Sequence, residues 1–148
     1  FMASRASCSV PLITKIQHYM GYDLLDGGIS DPIPIEKSLA DGNTFHVIVL
    51  TRNKGYQKEP FGHTAFLKAA FRKYPAVAGA MRTRHDRQLA LCEKLEKAGR
   101  AVIIRPLKPL NVSRTKAEVP ALLALHDEGL YEGRAALGSI EEMLSIKL

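Results

Sequence analysis

With 148 residues the chain is long enough for one domain with a sizeable core, and 46% hydrophobic and 24% charged residues is the balance of an ordinary globular chain. No apolar run approaches the roughly 18–20 residues of a membrane-spanning helix, and positions 1–11 lack the charged start and apolar run of a secretory signal. The net charge of +6 is concentrated, because residues 52–116 hold sixteen Lys/Arg against four Asp/Glu while the rest holds five against eleven. Phe1 ahead of Met2 is not a natural initiator, which points to an added residue or to a start inside a longer protein. Cys8 and Cys92 form no CxxC pair. They suggest a reducing compartment, most simply the cytoplasm, with both thiols in buried, small apolar roles.

In chain order, residues 4–10 read as a short helix packed through Ala6 and Cys8 and stopped by Pro11. Positions 11–13 and 22–25 bracket a hairpin-like or extended region, and Leu24-Leu25 reads as a short buried strand ending at Asp26. Pro34 suits the first turn of a helix through Ile35, Leu39 and Ala40, with Gly42 just past its end. The continuous apolar run at 45–51 predicts a strand covered on both faces, as in a parallel sheet. A polar loop follows over 52–62, then a helix over 64–72. Pro75 opens a longer helix to Ala98, stopped by Gly99, on which Val77, Met81, His85, Gln88 or Leu89, Cys92 and Leu95 form one stripe. Residues 101–104 read as a second buried strand, and 116–144 as a helix that Gly129, Gly133 and Gly138 weaken, offering points at which it divides in two. Strand, helix, strand, helix pair, strand, helix argues for α/β class with a mostly parallel sheet and helices on both faces.

The segment Leu25-Asp26-Gly27-Gly28-Ile29-Ser30-Asp31-Pro32-Ile33-Pro34 carries the chemistry. It sets one carboxylate beyond a strand end, where active-site loops of open parallel sheets lie. The two glycines let substrate or a neighbouring loop approach, and such a carboxylate can take a proton from a serine hydroxyl during acyl transfer. On spacing alone an Asp-Gly pair also makes a simple turn, in which Ser30 or Asp31 holds the loop through side-chain-to-backbone bonds.

Three segments carry a resemblance: Ala6-Ser7-Cys8-Ser9-Val10-Pro11-Leu12, Asp26-Gly27-Gly28 with Pro32-Ile33-Pro34-Ile35-Glu36-Lys37-Ser38, and Val47-Ile48-Val49-Leu50-Thr51-Arg52-Asn53 followed by Lys54-Gly55-Tyr56. Together they resemble the second half of bacterial patatin-like phospholipases, closely from Ala6 to Tyr56 and loosely beyond. The resemblance implies a partial three-layer α/β/α patatin-like fold with the N-terminal half absent. Residues 1–148 would form one incomplete domain, with about 1–56 carrying the Asp-Gly-Gly loop and following strand and 57–148 mainly helical. It implies that Asp26 is the catalytic base of a Ser-Asp dyad, that Gly27 and Gly28 shape its loop, that lipid esters are the substrate, and that neither cofactor nor metal takes part.

That family places a glycine-rich oxyanion loop and a Gly-x-Ser-x-Gly elbow earlier in its sequence. The serines here, at 4, 7, 9, 30, 38, 113, 139 and 145, never lie between glycines at that spacing. The chain alone is therefore expected to be inactive on esters, and its uncovered surfaces are expected to drive self-association. Of the five histidines, His46 reads as a satisfied core residue, His85 as packed or capped on its helix and His63 as a helix cap, and none has HxxxH spacing.

The cluster Arg82-Thr83-Arg84-His85-Asp86-Arg87 admits three readings. It is an exposed helix face with Asp86 paired locally, a set of contacts from Arg82, Arg84 and Arg87 to anionic lipid at a peripheral membrane surface, or a nucleic-acid site. No aromatic interleaving or fold signature supports the last. The rival to a hydrolase fragment is a non-enzymatic α/β module that recruits anionic partners through this cationic surface.

Overall fold

A computed structural model describes residues 1–56, 68–110, 112 and 118–145; the side chain of Arg82 lies outside the description, as do residues 64–67 of the helix expected over 64–72. The elements are α1 (Met2–Ser7), β1 (Gln17–Tyr19), β2 (Tyr22–Leu24), α2 (Gly27–Ser30), α3 (Ile35–Ala40), β3 (His46–Val49), α4 (Pro75–Lys97), β4 (Ala101–Ile104) and α5 (Val119–Ser145). The chain is mixed α/β, as the order of elements predicts. Its contacts group into two units, Phe1–Ser38 with Glu59–Ala90, and Leu39–Lys58 with Leu91–Leu148.

In the first unit, α1 ends where the Ser9 hydroxyl donates to the Arg5 carbonyl at 2.8 Å and the Ser9 amide to that of Ala6 at 3.0 Å. β1 and β2 pair antiparallel, with Gln17 opposite Leu24 and Tyr19 opposite Tyr22. They are joined by Met20 and Gly21, both at positive φ (51° and 81°), the geometry that matches a two-residue turn to strand twist. A two-residue connection joins only antiparallel strands, so the expected parallel, buried strand before Asp26 is instead the second arm of a hairpin. Tyr22 and Asp23 on that arm are exposed. Phe71 and Ala78 form the buried centre of this unit, with Leu25, Val77 and Met81 packed against them.

In the second unit, β3 and β4 pair in parallel from His46 opposite Ala101 to Val49 opposite Ile104. The ladder continues through Leu50 N–H to the Ile104 carbonyl at 2.9 Å. The last turns of α4 close as the sequence predicts: Gly99 adopts φ 67°, Arg100 N–H reaches the Leu95 carbonyl at 2.9 Å and Gly99 N–H that of Glu96 at 3.0 Å. Arg105, beyond β4, meets Glu93 and Glu96 at 3.3 Å each. Cys92, Leu95, Ala101, Ile48 and Met143 are buried, and α5 packs along β4.

Several expectations change here. Among the described residues one face of β3 is covered: His46 and Ile48 are buried, while Val47 and Val49 remain 49% and 70% exposed. A run of successive apolar residues shows that a strand can be buried on both faces, not that a second layer is present. Among the described residues the sheets have two strands each, one antiparallel and one parallel, rather than one mostly parallel sheet. α5 is continuous through Gly129, Gly133 and Gly138, because its packing outweighs the ~1 kcal/mol that each glycine costs a helix. Cys8 is exposed, since it falls just past the end of α1, whereas Ala6 and Cys92 are buried as expected.

Candidate functional site

Asp26 lies two residues beyond β2 and caps the single helical turn α2. Its Oδ1 accepts the Gly28 N–H at 2.7 Å, and its own N–H donates to the Ser9 carbonyl at 2.9 Å. The second bond joins the Ser9 segment to the Asp26 loop. The glycines differ in what they do. A Cβ on Gly28 would stand 3.0 Å from Asp26 Oδ1, so a side chain there displaces the carboxylate, whereas a Cβ on Gly27 meets nothing within 4 Å. Ser30 donates from Oγ to the Gly27 carbonyl at 3.2 Å, the local loop-holding bond expected of it.

Asp26 lines a cleft of about 260 Å³ together with Ile16, Leu24, Leu25, Ile29 and Val77. Asp23, Ser30 and Tyr74 add polar atoms to an otherwise apolar wall. The Asp26 carboxylate is half-buried and makes no ion pair among the described residues. Such a site can bind an apolar group beside an oxygen acceptor whose Oδ2 faces no donor among those residues.

Asp23 belongs to no motif in the sequence. Tyr74 donates its hydroxyl to that carboxylate, His18 bonds it across the hairpin, and the Lys73 ammonium stands 3.7 Å away. The Tyr74 hydroxyl above all, followed by His18 and Lys73, holds the Asp23 carboxyl below the usual carboxylate range. The one sequence signal is that His18 and Asp23 become register partners once a two-residue turn is assigned to Met20-Gly21.

The arginine cluster is partly spent within the protein. Arg84 donates to the Ser30 carbonyl, and Arg87 makes a two-pronged contact with Glu36 at 2.7 and 2.8 Å. His85 is half-buried beside Asp86 at 3.3 Å, a helix residue packed and capped by its neighbour, and His46 is buried in β3. His63 lies outside the described residues.

A family model described as "Domain of unknown function (DUF6363)" matches residues 74–145. No curated protein and no solved structure matches the chain. The matched stretch begins at Tyr74, which holds Asp23, and takes in Arg84, Arg87 and all of β4 and α5. The Asp26 loop precedes it.

Proposed function

We propose that this chain is part of a patatin-like serine lipid acyl hydrolase, with a three-layer α/β/α fold completed by polypeptide outside these residues. Asp26 is its general base. The observation that carries the reading is the position of that carboxylate: at the wall of an apolar cleft, outside any described salt bridge, braced on Gly28 and joined through its N–H to Ser9. In this mechanism Asp26 accepts the proton of a serine hydroxyl supplied from outside the chain as the serine oxygen attacks the ester carbonyl. The proton passes to the departing alcohol, leaving an acyl-serine. Asp26 then deprotonates the water that releases the fatty acid and regenerates the hydroxyl. No metal is invoked.

Self-association is part of the proposal. α5 leaves Leu123, Leu130, Leu137 and Leu144 exposed at seven-residue intervals, and β3 leaves Val47 and Val49 exposed, which supports a further protein surface on each. The proposal includes peripheral contact with lipid, in the cytoplasm at the inner membrane face; among the described residues no helix is long and apolar enough to cross a membrane.

The test is p-nitrophenyl ester hydrolysis. The 148-residue chain gives no turnover, whereas the polypeptide that also carries the nucleophile gives turnover that Asp26→Asn abolishes. Turnover by the short chain that disappears in Asp26→Asn, or turnover by the longer one that survives it, overturns the reading.

A further inference from the structure

Gln88 is 1% exposed, on a face of α4 that also carries Val77, Met81, His85 and Cys92. An amide in an apolar seam is costly unless both ends are bonded. Here both are: Oε1 accepts the Ile33 N–H at 2.9 Å, and Nε2 donates to Asp31 Oδ1. One turn earlier on the same helix Arg84 donates to the Ser30 carbonyl. The segment so held is Ser30-Asp31-Pro32-Ile33-Pro34. Its two prolines have no N–H to donate, so the side chains of Gln88 and Arg84 add ties to the few local backbone bonds of the segment. The Asp31 N–H in turn donates to the Gly27 carbonyl at 2.8 Å, closing the turn that Asp26 caps. Gln88 is therefore bonded to Asp31 and Asp31 to Gly27, the residue between Asp26 and the Gly28 N–H that braces its carboxylate.

We infer that Gln88 is a positioning residue for the Asp26 carboxylate, with Arg84 as the second tie. Its catalytic consequence rests on the reading of Asp26 as a general base; the mechanical coupling does not. Gln88→Glu turns the amide end that donates to Asp31 into an acceptor and sets two carboxylates against each other. Adding Asp31→Asn reverses the polarity of the pair, so that the introduced amide donates to the introduced carboxylate while Ile33 N–H keeps an acceptor.

The readouts are the Gly28 amide resonance and the carboxyl-carbon resonance of Asp26 by NMR at fixed pH on this chain. Gln88→Glu shifts both, the double variant returns both toward the unsubstituted chain, and Arg84→Met, at an exposed position that does not threaten folding, shifts the Gly28 amide in the same direction by less. In the polypeptide that carries the nucleophile, Gln88→Glu lowers kcat roughly 10- to 100-fold with KM little changed, as loss of alignment at a reacting group does, and the double variant recovers it. The inference is overturned if Gly28 and Asp26 do not respond to Gln88→Glu or Arg84→Met, or if the double variant is no better than Gln88→Glu alone. If the NMR coupling holds but Asp26→Asn leaves ester turnover intact, the hydrolase reading falls and the positioning role stands.

Discussion

In the unit built on the hairpin, the segments that matter are irregular and are fixed by side chains from far along the chain: Tyr74 on Asp23, Arg84 on Ser30, Arg87 on Glu36 and Gln88 on Ile33 and Asp31. In the unit built on β3 and β4, the backbone does most of this work, through a parallel ladder and the hydrogen-bonded end of α4. The contrast shows where function can sit. A ladder pairs backbone groups along its own seam, whereas the irregular loop around Asp26 adds to its local bonds ties from side chains far along the chain.

The comparison breaks if the ladder unit proves insensitive to its apolar filling. Leu95→Ala, at a position 5% exposed, is expected to cost about 2–5 kcal/mol in urea unfolding, the range for a large-to-small change in a core. The hairpin unit should respond instead to the loss of a polar tie. Gln88→Leu keeps the volume but strands the Ile33 N–H and the Asp31 carboxylate, at about 1–3 kcal/mol. If it is neutral, the side-chain ties are ornamental and the contrast fails.

Two smaller effects sharpen it. Met20 holds φ 51° at an exposed turn position where asparagine is favoured, so Met20→Asn should raise stability by about 0.5–1 kcal/mol without altering the cleft. In the ladder unit, burial first and the Arg100 charge second depress the His46 pKa below its ordinary 6.5. The unfolded chain then binds more protons than the folded one between the folded pKa and 6.5, so the contribution is intact above pH 6.5 and is lost as pH falls toward the folded value. Urea midpoints should decline from pH 7.5 to 5.5, and more shallowly in His46→Val; parallel slopes would remove His46 as the cause.

Local signals in the sequence located most of the regular structure. Pro75 and Gly99 mark the ends of α4 because proline presets the first turn and glycine accepts φ 67° at the last. Gly42 at φ 86° ends α3 for the same reason. Pairing was less legible, since the turn at Met20-Gly21 lacks the Asn-Gly signature and the apolar run of β3 is silent about a second layer. At the site, the single carboxylate and its loop could be picked out from Asp26-Gly27-Gly28. The partners at Tyr74, Arg84 and Gln88 could not, because they lie 48 to 62 positions away and their roles arise only when α4 is folded against the loop. Gln88 was visible only as a polar interruption of an apolar stripe, the mark of a buried hydrogen-bonding task.

The two cysteines are unlike in a way that offers an experimental handle. Cys92 is fully buried, and that burial pushes its thiol pKa up, while Cys8 stands exposed one residue before the carbonyl that receives the Asp26 N–H. A maleimide dye should therefore attach at a single position in the native chain and at two after unfolding, read by intact mass. The native adduct is a fluorescent reporter next in the chain to Ser9, which holds the Asp26 N–H, so occupancy of the cleft by an added ligand can be sought as a change in emission without altering any residue of the wall.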